Sequence, residues 1–451
     1  MTAPPTTANH TPPGLHPAWR FALFNGLSFQ IVLGSPMILY AKTLGASATV
    51  LGIIAGMMPL LVIFQIPAAS YINRIGYKRF VLGGWGTRTV FIFGLALVPL
   101  ASGFLDATTR LVLVLALLFG FNLVRGISSC AWLPWIAALV PEHFRGKYFA
   151  RDAAMVNLGS FLTVIVSAIC LGAAPQPWQF AAIFAFSAVT GVISLAFLNR
   201  MPDVAIPEEI RASQQPVPWL AMLRHPPFRK LLRVVVAWSV AYGGLAAFTV
   251  AFLKTETGMA EGKILFVTSV AFLGGLSSLW LFGSRLDRLG SKPVLGFSFG
   301  LWLVILAGWM ALAGGALTAS LALVLLLQFL MGLSAALVGM ANSWLATAIV
   351  PAQGRNHFFA LYSVFASVAL GLAPVGWGLL IDLIGARQGT FLGLGWNRYT
   401  IFFAAAAVVM GLTFALARRL DEPKAASLEA LLMEMLINSP QRLWLRFWPR
   451  D

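Results

Sequence analysis

The sequence predicts an all-α membrane protein whose twelve transmembrane helices form two six-helix repeats in parallel orientation. Three observations predict it: the composition, the number of long apolar segments, and a charged turn that occurs once in each half. Of the 451 residues, 59% are hydrophobic and only 10% are charged, whereas a soluble domain carries about a quarter charged residues. Apolar segments of about 20 residues are long enough to cross the hydrocarbon layer as helices.

The apolar segments divide into two sets of six, joined by a polar, proline-bearing stretch. The predicted spans are roughly 20–42, 49–72, 80–104, 111–139, 153–174 and 177–199, then 231–253, 263–285, 293–314, 317–349, 358–383 and 398–419. We expect a disordered cytoplasmic tail at 1–17, a six-helix bundle at 18–199, a cytoplasmic linker at 200–230, a second six-helix bundle at 231–420 and a cytoplasmic amphipathic tail at 421–451. The first tail lacks the basic start of a cleavable signal. The last tail either lies along the inner membrane surface or packs on the linker.

A charged turn marks the same point in each half. In the second half it reads GSRLDRLGSK, from Gly283 to Lys292. In the first half it reads ASYINRIGYK, from Ala69 to Lys78, 214 positions earlier. A polar turn repeated between apolar segments indicates a duplicated membrane protein.

Two further pairs of basic residues keep nearly the same spacing. Lys254 follows Lys42 by 212 positions, and Arg355 follows Arg145 by 210. This spacing predicts two six-helix repeats that run in the same direction. In that architecture the substrate site is expected between the repeats, near the middle of the membrane.

The basic residues predict the orientation in the membrane. With both termini in the cytoplasm, 23 of the 31 Lys and Arg residues lie on the inner side and six on the outer side, while Arg88 and Arg125 fall within spans. Inner loops of helical membrane proteins carry such an excess. We therefore predict a protein of the inner (cytoplasmic) membrane with both termini inside. Despite a net charge of +16, this distribution argues against nucleic acid as a partner.

These features resemble the major facilitator superfamily, over residues from about 18 to 420. The residues that carry the resemblance are those of the two turns: Gly283, Asp287, Arg288, Gly290 and Lys292 in the second half, and Asn73, Arg74, Gly76 and Lys78 in the first. The resemblance implies transport by alternating access, with these turns gating the cytoplasmic side.

By the same resemblance, Asp287 would latch against the start of the fifth span, near Arg145 or Arg151, and Arg355 holds the equivalent position in the second half. Asn73 stands where the other turn has an acid, so the first-half turn departs from the family pattern. The alternative for both turns is a role in orientation and folding alone. The fifth span also lacks the glycine-proline motif of the family's drug/proton exporters, which counts against a multidrug antiporter.

Arg125 is the leading candidate for binding substrate. It lies about 14 residues into the fourth span, roughly 21 Å along the helix axis, where a charge usually faces a polar cavity. Asn122 and Ser129 share its helical face. The alternative is an arginine satisfied by helix carbonyls. For Arg88, a structural role or snorkelling toward the inner surface is as consistent with the sequence as binding.

The other candidates for the substrate site are neutral: Asn25, Gln30, Asn157, Trp238, Tyr242, Gln328, Asn342 and Tyr362. For each, the alternative is a hydrogen bond between packed helices. No acid lies at the middle of a predicted span, and Asp382 comes closest. A proton or sodium pathway normally uses a membrane-embedded carboxylate, so none is predicted, and neither is a metal site or a cofactor.

These patterns favour a secondary active or facilitative transporter for a small organic solute, anionic or polar, acting as a monomer in contact with membrane lipids. An enzyme is disfavoured because no nucleophile–base pair appears in any span. One alternative is an exporter of amphipathic compounds or lipids, which would tolerate loss of Arg125. Another is a non-transporting receptor or assembly factor that has kept the fold.

Overall fold

The computed structural model describes residues 15–204, 223–349, 355–391 and 393–420. Nearly all of them are helical, and the predicted fold class is confirmed. Within this part of the chain, eleven helical segments are long and apolar enough to cross a membrane. A further helix, Glu261–Leu289, stands at the eighth predicted span. The predicted tail at 421–451 lies outside the described residues.

The first half contains nine α-helices in the described ranges. They are α1 (His16–Leu33), α2 (Ser35–Thr43), α3 (Ala48–Leu61), α4 (Gln65–Ile75), α5 (Tyr77–Leu100), α6 (Ala107–Ser129), α7 (Trp132–Leu139), α8 (Glu142–Leu171) and α9 (Pro177–Asn199). Short 3₁₀ turns at Val62–Phe64 and Ala101–Gly103 follow α3 and α5.

The second half, within its described residues, contains seven α-helices and a short hairpin. They are α10 (Pro226–Tyr242), α11 (Leu245–Thr255), α12 (Glu261–Leu289), α13 (Ser291–Ala313), α14 (Leu321–Ile349), α15 (Arg355–Ile384), β1 (Gly389–Phe391), β2 (Leu394–Trp396) and α16 (Arg398–Arg418).

The chain forms two compact units that largely follow the two halves. Unit 1 contains Met1–Ser47, Ile53–Gln215 and Leu253–Phe266, and unit 2 contains Ala48–Gly52, Pro216–Phe252 and Val267–Asp451. Two short segments, 48–52 and 253–266, thus group with the opposite half.

Glycine and proline divide three of the spans into two helices. Gly34 is extended between α1 and α2. Between α6 and α7, Pro134 lacks the N–H that would bond the carbonyl of Cys130, so the helix breaks there. Between α10 and α11, Gly244 has a φ of +83°. The regular hydrogen-bond ladder of the spans is therefore interrupted at positions set by the sequence.

The core of unit 1 is aromatic. The ring of Phe21 stacks on Trp85 with centroids 5.1 Å apart, and Trp132 lies 5.1 Å from Trp85. Trp135 is fully buried and donates from Nε1 to the carbonyl of Pro202 at 3.1 Å. Aromatic side chains bury large apolar areas in specific geometries. These contacts hold α1, α5 and α7 together around the cavity described below.

The two charged turns share one backbone conformation. Gly76 ends α4 with φ 89° and ψ 153°, and Gly290 precedes α13 with φ 82° and ψ 174°. This region of φ/ψ space is essentially restricted to glycine. The repeated glycine of the motif is therefore required by the backbone.

The hairpin β1–β2 is a feature that the sequence does not predict. Its strands pair antiparallel, with Thr390 opposite Gly395. The N–H of Gly395 donates to the carbonyl of Gly314 at 2.8 Å, and Asn397 Nδ2 donates to the carbonyl of Ala313 at 2.6 Å. The hairpin thereby covers the C-terminal end of α13, whose last carbonyls have no partner within the helix.

Asp382, near the end of α15, caps the start of α3 within unit 2. Its carboxylate accepts hydrogen bonds from the N–H groups of Ala48 and Thr49 at 2.9 and 2.7 Å and from Thr49 Oγ1 at 2.6 Å. The two segments also pack closely, since a Cβ added at Gly378 would lie 2.4 Å from the carbonyl oxygen of Ala48. Asp382 thus satisfies N–H groups that the first turn of a helix leaves free.

We expect Gly76→Ala to destabilise the protein by about 1 to 3 kcal/mol, because alanine is strained in this backbone conformation. The midpoint of denaturant unfolding in detergent measures the change. Gly83→Ala is the matched control, since an added Cβ there meets no atom within 4 Å in a regular helix. The control should be neutral or slightly stabilising. Equal effects of the two substitutions would contradict the assignment.

We expect Asp382→Ala to destabilise the protein by about 1 kcal/mol, the usual effect of losing a helix cap. Asp382→Asn keeps an acceptor and should retain most of the stability. The thermal unfolding midpoint of the purified protein distinguishes the two variants. A wild-type midpoint for Asp382→Ala would show that the cap does not contribute.

Candidate functional site

A cavity of about 250 Å³ with charged walls lies inside unit 1. Helices α1, α5, α6, α7 and α8 supply its walls. Its charged and polar lining consists of Asn25, Arg88, Arg125, Ser129 and Asp152, and its aromatic lining of Phe21, Phe29, Trp85 and Trp132. Two cations and one acid in a largely apolar unit make this the leading candidate for a binding site.

Arg88 is held by contacts on several sides. Arg88 is only 4% exposed, and its Nη2 donates a hydrogen bond to Oδ1 of Asn25 on α1. The guanidinium carbon lies 4.8 Å from the ring centroid of Trp85 and 5.9 Å from that of Phe121. Trp85 stands one helical turn before Arg88, a spacing that brings the two side chains together. The cation is thus stabilised by ring faces and an amide oxygen.

The guanidinium of Arg88 still has hydrogen-bonding capacity. Its buried Nε has no hydrogen-bond partner. Because a guanidinium carries five N–H donors and no acceptor, an acceptor from a bound molecule would complete its hydrogen bonding.

Arg125 brings a second guanidinium to the same cavity. Among the described residues, its guanidinium has no hydrogen-bond or ion-pair partner. The next residue, Gly126, lets α6 pack closely, since a Cβ there would lie 2.2 Å from the carbonyl oxygen of Leu61. One turn on, Ser129 donates to the carbonyl of Gly126 at 2.8 Å. Arg125 is therefore presented by a tightly packed helix without being neutralised.

Asp152 on α8 contributes the only carboxylate among the described residues that line the cavity. Its Oδ1 is buried and has no hydrogen-bond partner. Tyr148 lies one turn earlier, and burial together with the charge of Asp152 raises the pKa of its hydroxyl. The neighbouring Arg151 does not neutralise Asp152, because its guanidinium lies 3.9 Å from the ring centroid of Trp19.

The described lining of the cavity carries more positive than negative charge. With Asp152 ionised, two guanidinium groups and one carboxylate leave an excess of one positive charge. Unpaired charge in a low-dielectric interior is unfavourable by several kcal/mol. A carboxylate, sulfonate or phosphate matches the planar donor geometry of a guanidinium. Binding is the chemistry that this arrangement supports.

The structure corrects two interpretations of the sequence. Arg88 does not snorkel, since it is buried and lines the cavity with Arg125. Asp152 was missed because the fifth span was predicted to begin at residue 153, whereas α8 runs from Glu142. Only the structure shows that α8 packs closely on α1 here, since a Cβ at Gly26 would lie 2.8 Å from the carbonyl oxygen of Val156.

Three predicted residues of unit 1 are not part of the cavity lining. Asn122 is buried and donates to the carbonyl of Leu118 at 2.9 Å, and Asn157 donates to that of Ala153 at 2.9 Å. Gln30 lies beside Gly34 at the break between α1 and α2. Their side chains bond or contact their own helices.

The predicted residues of the second half belong to unit 2. Trp238 and Tyr242 stack with centroids 4.8 Å apart, and each lies 5.7 Å from Trp302. Gln328 and Asn342 are buried in α14, and the remaining predicted residue, Tyr362, is half-buried in α15. None of these side chains carries a formal charge, and of the predicted residues Trp238 and Tyr242 contact each other.

The predicted gating residues are only partly described. Asn73 and Arg74 are exposed, Lys78 is half-buried, and Lys292 Nζ donates to the carbonyl of Leu420 at 3.0 Å. Gly76 and Gly290 make the turns described above. The side chains of Asp287, Arg288, Arg145 and Arg355, together with the surroundings of Gly283, lie outside the described residues.

Comparisons with known proteins agree with this architecture. The model of the Major Facilitator Superfamily matches residues 21–283 and 243–448. No curated protein sequence matches the chain significantly.

Solved structures of similar fold include several transporters. The inward-open xylose transporter XylE from E. coli is 14% identical, with a TM-score of 0.67 over 92% of this chain and 98% of that one. The nucleoside transporter NupG is 14% identical, with a TM-score of 0.60 over 89% and 97%. A POT family transporter in complex with 5-aminolevulinic acid is 14% identical, with a TM-score of 0.66 over 91% and 97%. At such identities the likeness shows the fold.

The apolar helices and the matched family model define an integral membrane protein. The chain belongs to the major facilitator superfamily.

Proposed function

We propose that this protein is a secondary transporter that moves a small organic anion by alternating access. The observation that carries the proposal is the pair of guanidinium groups, Arg88 and Arg125, at one cavity in unit 1. The proposed substrate places its anionic group between them and its apolar part against Trp85 and Trp132. The cavity volume suits a small metabolite.

A comparison of the repeats supports unit 1 as the site of anion recognition. The 214-residue spacing places Trp302 at the position of Arg88, and the 210-residue spacing places Ala335 at that of Arg125. The charged lining is therefore not part of what the duplication preserved. The aromatic side chains Trp238, Tyr242 and Tyr362 of unit 2 are proposed to take part in substrate binding as uncharged groups.

We also propose that the two charged turns gate the cytoplasmic side, with Asp287 latching near Arg145 or Arg151 and the turn at Asn73 acting without a charge. The shared conformation of Gly76 and Gly290 supports an equivalent role for the two turns. The excess of basic residues on one side supports an inner-membrane protein with both termini in the cytoplasm. A monomer is sufficient for this function, because the cavity is formed by residues of one unit.

We expect Arg125→Met to abolish uptake of an anionic substrate and to weaken its binding by about 2 to 5 kcal/mol, the usual effect of removing one partner of a buried charged contact. Stability should be unchanged or higher, because an unpaired buried charge is replaced by an apolar side chain of similar length. A thermal-shift screen of carboxylates, sulfonates and phosphate esters against neutral analogues identifies ligands, and uptake into proteoliposomes then tests transport.

Arg79→Gln is the matched control, since Arg79 is an exposed arginine at the start of the same helix as Arg88. It should leave both binding and uptake as in the wild type. Equal stabilisation of wild type and Arg125→Met by neutral amphipathic compounds would contradict the proposal and favour the exporter of amphipathic compounds.

A further inference from the structure

We propose that Asp152 is a proton-binding residue of this transporter, and that its protonation and the binding of an anion at Arg88 and Arg125 favour each other. The inference rests on the proposed function and deepens it, because it makes the protein a proton–anion symporter. The sequence predicted no proton pathway, since Asp152 was assigned to a loop.

The position of Asp152 suits a group that changes charge during transport. It lines the same cavity as both guanidinium groups, yet no ion pair within 4 Å joins it to either of them in the described structure. Its buried Oδ1 accepts no hydrogen bond. A buried ionised carboxylate with neither an ion-pair partner nor a hydrogen-bond donor is poorly stabilised, whereas burial penalises the neutral carboxyl much less.

The groups that face Asp152 come from four helices. Arg88 lies on α5 and Arg125 on α6, and both line its cavity. The nearest ionisable groups of its own helix are Tyr148 and Arg151, and those of the cytoplasmic part of α1 are His16 and Arg20. Arg151 and Arg20 lie against the rings of Trp19 and Phe197, and His16 contacts Trp19 edge-on.

Of these groups, Tyr148, Arg151 and Arg20 do not line the cavity, and a guanidinium in general keeps its charge at physiological pH. His16 lies at the first residue of α1 and does not line the cavity. The charge of the cavity therefore changes through Asp152.

Electrostatics links the proton to the anion. When Asp152 is ionised, its negative charge competes with a bound anion for the two guanidinium groups and repels it. When Asp152 is protonated, the anion meets two unopposed positive charges. By thermodynamic linkage, a bound anion must then raise the affinity of Asp152 for its proton by the same factor. Joint release of a proton and a monovalent anion would move no net charge.

Benzenesulfonate is the probe for the first experiment. It stays ionised over the whole accessible pH range, so any pH dependence comes from the protein, and its ring suits the walls formed by Trp85 and Trp132. Its dissociation constant is measured by calorimetry on purified protein at a series of pH values. In the wild type we expect affinity to fall by roughly tenfold or more as the pH rises and Asp152 ionises, within the usual range of such coupling.

Four variants test whether the titration belongs to Asp152. Asp152→Asn should bind the probe with an affinity that no longer depends on pH and that equals the low-pH affinity of the wild type. Asp152→Glu keeps a titrating carboxyl and should retain the dependence. Asp106→Asn is the control, because Asp106 is an exposed helix cap for which asparagine is equivalent. Dependence that persists in Asp152→Asn but is lost in His16→Gln would overturn the inference.

A second measurement does not require the probe. Infrared difference spectra of the reconstituted protein should show a protonated-carboxyl band that appears on acidification and is absent in Asp152→Asn. Failure of the wild type to bind benzenesulfonate counts against the proposed function, while absence of this band overturns the role of Asp152.

Transport assays then distinguish the proposal of anion transport from the proposal of proton symport. Wild-type proteoliposomes that contain a pH-sensitive dye should acidify as benzenesulfonate enters, and a pH gradient, acid outside, should drive its accumulation. Asp152→Asn should still exchange labelled for unlabelled benzenesulfonate but should not accumulate it. Uptake by the wild type without proton movement would overturn the symport and leave the proposed anion transport standing.

Discussion

The unfavourable transfer of two guanidinium groups out of water is the constraint on which unit 1 depends. The buried charge of Arg88 is stabilised by the amide oxygen of Asn25 and by the ring faces of Trp85 and Phe121. Arg125 has no comparable partner in the described structure, so its charge in the cavity is not neutralised by a direct contact. A charge kept without a partner in a membrane protein generally marks a transport pathway.

Close helix packing determines which polar groups share this cavity. A Cβ at Gly159 would lie 2.5 Å from the carbonyl oxygen of Leu23, so α8 approaches α1 at backbone distance. The same is true of α6, where Gly126 lies against the carbonyl of Leu61. Because these helices have small residues at their contacts, the side chains beside them, Asp152 and Arg125, reach a common space. The site is thus a consequence of packing between helices.

The two repeats have kept their turns and diverged in their interiors. Gly76 and Gly290, 214 positions apart, adopt the same conformation. Glycine is required at both positions because this conformation is essentially restricted to glycine. Inside the helices no such backbone requirement exists, and the counterpart of Arg88 is Trp302, one of three stacked aromatic residues in unit 2. The repeated turns therefore share a backbone requirement, while the charged cavity lining of unit 1 has no counterpart at the equivalent positions of unit 2.

The sequence alone determined the number of spans, their order and the repeat, since a helix that crosses lipid must be long, apolar and internally hydrogen-bonded. It also identified Arg125, because a charge within an apolar segment is visible without coordinates. The partnership of Arg88 with Asn25, the place of Asp152 in the cavity and the hairpin at Gly389–Trp396 were decided only by the tertiary structure. These features depend on contacts between residues far apart in the chain, and the periodicity of a single helix carries no information about which neighbour its polar side chains will meet.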